Sequence, residues 1–315
     1  MEYYNDLVEM VGNTPLLKLN HLEVPAGIEI YAKLEMYNPL GSVKDRVGVY
    51  MLKEKIQSGE LPEGGTIIEG TAGNTGIGTA LAALNRGFRV IFIVPDKFSG
   101  EKQTVMKALG AEVINIPRDQ GMQGVIVKSE ELHEKIPNSV VLNQFQSQWN
   151  PKAHFETTGP EIYQQMDGMI DYFVAGAGSG GTFSGTLRYL QSKGVPVKGV
   201  LADPVGSIIG GGEHGDYEIE GIGNDFVADT MDVSLIDQVI KVTDEEALSA
   251  VRLLAKKEGV LGGTSTGAAL TASFKLAQQL KNENPDVDPE RNIRIVTVFP
   301  DSGERYYSKG ILDPE

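Results

Sequence analysis

GTIIEGTAGNTGIGTALAALNRGFRVIFIVP, residues 65–95, reads as strand, glycine-bearing loop, helix and strand in immediate succession. GTIIEG (65–70) and RVIFIVP (89–95) are short β-branched runs with the length of buried strands. NTGIGTALAALNRG between them has apolar residues at helical spacing and closes on glycine. Two strands joined by a covering helix pair in parallel, and parallel sheets are covered on both faces. The rhythm continues outward. AEVINIP (111–117) and SVVLNQ (139–144) are predicted strands, with helices over GEKQTVMKALG (100–110) and GVIVKSEELHEKI (124–136). A second series runs through strand IDYFVAGAG (170–178), helix GTFSGTLRYLQSKG (181–194) and strand VKGVLADP (197–204). It ends in helices over 244–259 and 267–280 and the strand NIRIVTVFP (292–300). The expected fold class is α/β, with two open, mostly parallel twisted sheets flanked by helices and a boundary near QWNPKAH (148–154). Residues 205–240 break the alternation with GSIIGGGEHGDYEIEGIGNDF, too long for an ordinary connector and therefore a candidate functional segment.

The chain has 315 residues, 41% of them hydrophobic and 23% charged, a composition suited to two domains or one large α/β unit. A net charge of −15 argues against nucleic acid or an anionic membrane as partner. With no cysteine there are no disulfides, thiolate metal sites or thiol catalysis. His21, His133, His154 and His214 lie far apart without HxxxH or HExxH spacing, so no metal site is expected. The opening MEYYNDLVEM is acidic and lacks the apolar core of a signal peptide, and no apolar run approaches membrane-spanning length. A cytoplasmic protein is the expectation.

PLGSVKDR (39–46) holds a lysine at a helix start. Ser42 and Asp45 have capping-box spacing, which puts Lys44 in the first turn, where the helix dipole disfavours an ammonium. Two readings are open: a surface lysine, or an amine kept partly deprotonated for use as nucleophile or base. Two glycine loops follow predicted strands, EGTAGNTGIG (69–78) and AGAGSGGTFSG (175–185). Each brings backbone N–H groups to a helix N-terminus and suits a phosphate or carboxylate; each also reads as a tight strand–helix turn without a ligand. Gly176, Gly178 and Gly181 satisfy GxGxxG, so an NAD-dependent oxidoreductase is a rival. Against it, Asp203 lies farther on than the usual spacing of about 20, and the loop sits mid-chain rather than at the start of the fold.

VGNTPLLKL, NPLGSVKDR, TAGNTGIG, GSGGT, GGTSTGAA and FPDSGER, in this order, resemble the motif set of the fold-type II pyridoxal-phosphate enzymes. Within these the chain resembles the cysteine synthase and cystathionine β-synthase family, and the match covers nearly its whole length. The resemblance implies a tryptophan synthase β-like architecture. Residues 35–150 would be an N-terminal α/β domain with a mobile segment at about 89–135, and 1–34 with 151–315 the C-terminal domain. Pyridoxal 5′-phosphate would lie in the cleft between them. Lys44 corresponds to the lysine that forms the Schiff base, and Gly178, Ser179, Gly180, Gly181 and Thr182 to the phosphate cradle. Asn74 matches the asparagine that bonds the cofactor's ring hydroxyl, and Ser265 the serine facing its pyridine nitrogen. Thr71, Ala72, Gly73, Asn74, Thr75 and Gln144 fall on the positions that hold the substrate carboxylate.

An imine forms only from a neutral amine, which a helix N-terminus helps to maintain at Lys44. A serine at 265 leaves the cofactor a weaker electron sink than an aspartate would, which suits β-elimination over long-lived carbanions. The expected reaction is β-replacement, with Lys44 removing the Cα proton. ADPVGSI (202–208) and YEIEGIGNDF (217–226) look more like the cystathionine β-synthase versions, in which Glu220, Gly221 and Gly223 line the entrance for homocysteine. Glu220 has a plainer reading as a solvated loop carboxylate. The implied activity joins homocysteine to serine or O-acetylserine, with cysteine desulfuration to hydrogen sulfide beside it; the alternative is a cysteine synthase using sulfide. Two departures bear on this: Ala72 stands where the family's loop has serine, and Asn224 where animal cystathionine β-synthases have tyrosine. The resemblance further implies small amino-acid substrates, a homodimer, and a catalytic core without the haem-binding or S-adenosylmethionine-binding extensions of animal enzymes.

Overall fold

The computed structural model describes every residue except 2, 72, 97–99, 284, 286–291 and 314–315, and the backbone alone at 118, 122 and 123. The chain opens with β1 (Leu16–Lys18) and β2 (Ile28–Leu34), then α1 (Lys44–Gln57). It continues through β3 (Thr66–Gly70), α2 (Asn74–Ala83), β4 (Arg89–Pro95), α3 (Gly100–Ala108), β5 (Glu112–Ile116), α4 (Gly121–Lys135) and β6 (Ser139–Val141). Next come α5 (Trp149–Glu156), α6 (Thr158–Gln165), β7 (Tyr172–Gly176), α7 (Gly181–Ser192) and β8 (Lys198–Pro204). The last elements are β9 (Gln238–Val242), α8 (Asp244–Glu258), α9 (Thr264–Glu283) and β10 (Ile293–Phe299).

The described residues form two sheets. One has the order β5-β4-β3-β6 and is wholly parallel; the other, β1-β2-β10-β7-β8-β9, is parallel except where β1 meets β2. The α/β expectation holds. Ile67 and Phe92 from the smaller sheet pack with Val47, Met51 and Leu52 of α1 and Ile77 of α2, all buried. Helices cover both faces of the larger sheet, Leu270 and Leu276 of α9 with Val174 and Ile295 on one side, Phe183 and Leu187 of α7 with Phe173 and Val296 on the other. Loops 71–73 and 177–180 leave the carboxyl ends of β3 and β7, where open α/β sheets bind ligands.

Several local readings need correction. The capping box at Ser42 does not form: Ser42 Oγ accepts from Lys44 N at 3.3 Å, while Asp45 turns back to accept from Leu40 N at 2.7 Å. The helix nevertheless starts at Lys44. SVVLNQ is a strand only to Val141, because Asn143 adopts a left-handed φ of 52° and carries the chain out of the sheet. QWNPKAH lies largely in α5; Pro151 is tolerated there because first-turn N–H groups have no intrahelical partner. The strands β1, β2 and β9 and the helix α6 were not anticipated.

One contact fixes the relation of α1 to α2. A Cβ on Gly48 would lie 2.2 Å from the Gly78 carbonyl carbon, and a Cβ on Gly78 would lie 2.3 Å from the Lys44 carbonyl oxygen. The helices therefore touch main chain to main chain, and no residue with a side chain fits either position without displacing its neighbour. The start of α1 is held against the helix that begins at loop 71–73.

Candidate active site

Lys44 and the 176–182 loop line a pocket, with Val43, Gly178, Ser179, Gly180, Thr182 and Gly221 in its walls. The surface-lysine reading is thereby excluded. Burial lowers the Lys44 pKa first, nearby Lys102 lowers it further, and the Asp301 carboxylate opposes both. Desolvation, rather than the helix dipole expected from the sequence, leads.

The loop from β7 to α7 is built as a cradle. Gly180 has φ of 81°, and a Cβ there would lie 2.5 Å from Met231. Asn150 of α5 donates to Ser179 Oγ at 2.9 Å and to the Gln144 carbonyl at 2.8 Å, and the Thr230 hydroxyl donates to the Ser179 carbonyl. The irregular 205–237 stretch supports the loop from its other side: Gly223 N donates to the Ala177 carbonyl at 2.7 Å and Asn224 Nδ2 to the Gly178 carbonyl at 3.3 Å. Gly221 and Gly223 thus pack against the cradle. Free N–H groups at the start of α7, with its dipole, give this concavity the chemistry that suits an anion such as phosphate.

The β3–α2 loop comes together with Gln144. Thr71 Oγ1 accepts from Gly73 N at 2.9 Å and Gly76 N at 3.2 Å, and Thr75 Oγ1 donates to Gln144 Oε1 at 2.6 Å. Ala72 lies outside the described residues. Beneath them buried Glu69 accepts from Asn143 N at 2.7 Å and Gln144 N at 3.1 Å, stabilising the left-handed turn that aims Gln144 at Thr75. Burial pushes the Glu69 carboxyl from 4.5 up to about 7, against the pull of those two amides. A carboxyl raised on folding supports the fold below its unfolded value and withdraws that support as the pH rises through the folded one. Wild-type stability relative to Glu69→Gln should therefore fall by about 3 kcal/mol between pH 4.5 and pH 8. Urea denaturation at both ends checks this; parallel pH profiles would contradict it.

A buried polar chain joins α2 and α3 to the C-terminal segment. Asn74 Nδ2 donates to Asp301 Oδ2 at 2.7 Å and its Oδ1 accepts from Arg305 at 2.7 Å, which orients the amide and leaves its second N–H for another acceptor. Tyr306 donates to Asp301 at 2.5 Å and accepts from Lys102 at 3.0 Å. Lys102 also reaches Glu220 at 2.8 Å, and Lys309 reaches the other Glu220 oxygen at 2.6 Å. A Cβ on Gly73 would lie 2.5 Å from Lys102 Cδ, so this lysine lies directly on the β3–α2 loop. Burial favours a neutral Glu220, but Lys102 and then Lys309 outweigh it and hold its pKa below the ordinary carboxylate value. Glu220 is not a solvated loop carboxylate. Ser265 is buried in the first turn of α9. Lys102, Tyr306 and Lys309 were missed from sequence, and Asp301 was noticed only within FPDSGER.

The pyridoxal-phosphate dependent enzyme family matches residues 7–301. The chain belongs to that family. It is 49% identical over 313 residues to an O-acetylserine dependent cystathionine β-synthase of Bacillus subtilis, covering 99% of each chain. It is 47% identical to a cysteine synthase of Helicobacter pylori, covering 96% of this chain and 97% of that one. A crystal structure of an O-acetylserine dependent cystathionine β-synthase from Helicobacter pylori superposes with a TM-score of 0.92 at 45% identity, covering 99% of both chains. The pyridoxal-phosphate enzyme fold and cofactor are accordingly those of this chain. The site fits the group: a glycine loop packed so closely on Met231 and Asn150 that no side chain fits at Gly180 or Gly181, a lysine of lowered pKa in the same pocket, and a buried Asn150 Oδ1 without a protein hydrogen-bond partner. Among the described residues no helix is long and apolar enough to cross a membrane, and no group of three or more His, Asp or Glu could hold a metal.

Proposed function

We propose that the enzyme catalyses β-replacement on O-acetylserine or serine with homocysteine, giving cystathionine. Pyridoxal phosphate, when bound, supplies the sink for electrons released at the substrate Cα. The chain's part is to bind, orient and move protons. We assign Lys44 Nζ as the group joined to the cofactor and then as the base for the Cα proton. Gly178 through Thr182 would hold the phosphate, Ser265 the pyridine nitrogen, and Thr71, Gly73, Asn74, Thr75 and Gln144 the substrate carboxylate. Residues 35–150 are taken as the N-terminal domain, with 1–34 and 151–315 as the other. The segment from about 89 to 135 would close as a lid, a reading supported by Lys102 reaching Glu220 and by Ser308 N donating to Glu101 at 3.1 Å. A cytoplasmic homodimer completes the proposal; exposed Tyr3, Tyr4, Leu7 and Met10 offer a second copy an apolar surface.

The observation that carries the choice of nucleophile is Glu220 bracketed by Lys102 and Lys309. Homocysteine brings an ammonium and a carboxylate; Glu220 meets the first and a lysine the second, exchanging one ion pair for another without stranding a charge. Hydrosulfide needs neither group. Similarity to a cysteine synthase favours the second reading, in which sulfide is the nucleophile. Mixing the purified enzyme with O-acetylserine, serine or cysteine, each with homocysteine or sulfide, and identifying products separates them. Cystathionine should predominate, with sulfide released when cysteine is the donor; cysteine formed much faster would favour the second reading. Glu220→Gln should lower kcat/KM for homocysteine by about 10- to 100-fold. Elimination of the β-substituent should change little, and equal loss with sulfide would contradict the assignment.

A further inference from the structure

His154, set apart by the sequence analysis as one of four scattered histidines, stands beneath the phosphate cradle. It lies in α5 and is 0% exposed. Its Nε2 is 3.2 Å from the hydroxyl of Thr182, the second residue of α7 and part of the cavity wall. Its Nδ1 is 2.9 Å from the hydroxyl of Thr158, the first residue of α6, also 0% exposed. The three side chains form a line from the interior to the cradle, Thr158 to His154 to Thr182.

Hydrogen counting orients that line. A phosphate dianion only accepts, so Thr182 contributes to holding it by giving its single hydroxyl proton. Once that proton points into the cradle, the remaining Thr182 lone pairs face His154 Nε2, and only an Nε2–H satisfies them. A neutral imidazole with its proton on Nε2 has a lone pair on Nδ1, which must receive the Thr158 proton. The opposite tautomer turns the Thr182 proton toward the ring and presents oxygen lone pairs to the phosphate. Burial first, then the charge of Arg46, depresses the His154 pKa to about 3, so the ring is neutral wherever the enzyme works.

We propose that His154 is a positioning residue of the phosphate cradle, held as the Nε2–H tautomer by Thr158 and donating to Thr182, so that the Thr182 proton is aimed at the cofactor phosphate. The inference rests on Gly178 through Thr182 being the phosphate site. Each link donates in the same direction, so the bonds polarise one another and the last is strengthened.

Nitrogen-15 NMR of the histidine-labelled holoenzyme and of its cofactor-free form tests the assignment without using turnover. His154 should show a protonated Nε2 and an unprotonated Nδ1 in the holoenzyme between pH 6 and 8.5. A proton on Nδ1, or an imidazolium, overturns the proposal. Cofactor affinity of variants supplies the second readout. Thr158→Val removes the donor to Nδ1 and should weaken binding about fivefold while mixing the tautomers. His154→Gln, whose amide donates toward Thr182, should bind within about threefold of wild type, and His154→Leu about fivefold worse. Equal affinity for the glutamine and leucine variants would mean that His154 serves packing alone. Phosphorus-31 NMR in which the loop binds no phosphate would instead remove the cradle reading on which the inference stands.

Discussion

Lys44→Ala should abolish turnover while leaving the fold intact. In the proposed role Lys44 is both covalent anchor and proton acceptor, and losing such a group costs at least about a thousandfold in rate. Stability should hold or rise by about 0.5 kcal/mol, because alanine is the better helix former and a first-turn cation opposes the dipole. Borohydride should attach the cofactor to the wild-type peptide that contains Lys44 and to no peptide of the variant. Residual turnover within tenfold of wild type, or attachment elsewhere, would overturn the assignment. Because burial holds the Lys44 pKa below that of a free lysine, the basic limb of binding to an aldehyde should lie below the ordinary lysine range.

The second large effect is on stability and centres on Arg46. Its guanidinium bonds Glu35 through Nε at 2.7 Å and Nη2 at 2.9 Å, and Glu161 through Nη1 and Nη2, both at 2.7 Å. Lys33, wholly buried, joins Glu161 at 2.7 Å. Burial alone would raise the Glu35 carboxyl, and Arg46 outweighs it. Arg46→Leu would leave Glu35 charged, buried and without its main partner, and should destabilise the protein by about 3–5 kcal/mol. Thermal or urea denaturation checks this. Replacing Glu35 as well should restore part of the loss, since removing both members of a buried pair is far less costly than removing one. The Glu161 carboxyl, brought to about 2 chiefly by Arg46 against the cost of burial, makes this support present at neutral pH and lost as the pH falls from 4.5 through 2.

The same ion cluster explains why β2 was hard to see in the sequence. Its run IEIYAKL carries Glu29 and Lys33 where an interior strand would ordinarily be apolar, and the buried Lys33 is met by Glu161 and Gln165, both distant in sequence, and by the Thr14 carbonyl. Runs such as RVIFIVP needed no such partner and were legible at once. QWNPKAH resembled a break because proline and asparagine are usual punctuators, yet both sit in a first turn, where Asn150 serves the cradle. The cradle and Lys44 are local motifs, each readable within about ten residues. The polar chain around Glu220 is not local: Lys102 and Tyr306 are separated by 204 positions, and nothing near either announces the other. Glu220 was found through its motif, but its two lysines required three-dimensional structure. The hydrogen-bond partners of His154 were equally invisible, since Thr158 and Thr182 join it only once α5, α6 and α7 pack.

The glycine contact between α1 and α2 sets a length standard for the chemistry. Contacts made by side chains drift as residues change, because each new rotamer resets the spacing. At Gly48 and Gly78 only main-chain atoms meet, so the offset between the Lys44 backbone and the loop starting at Thr71 is set by peptide dimensions. Sequence variation elsewhere in these helices leaves that offset unchanged. A descendant chain can alter the composition of the loop that starts at Thr71 while the Lys44 backbone stays where the glycine contact holds it.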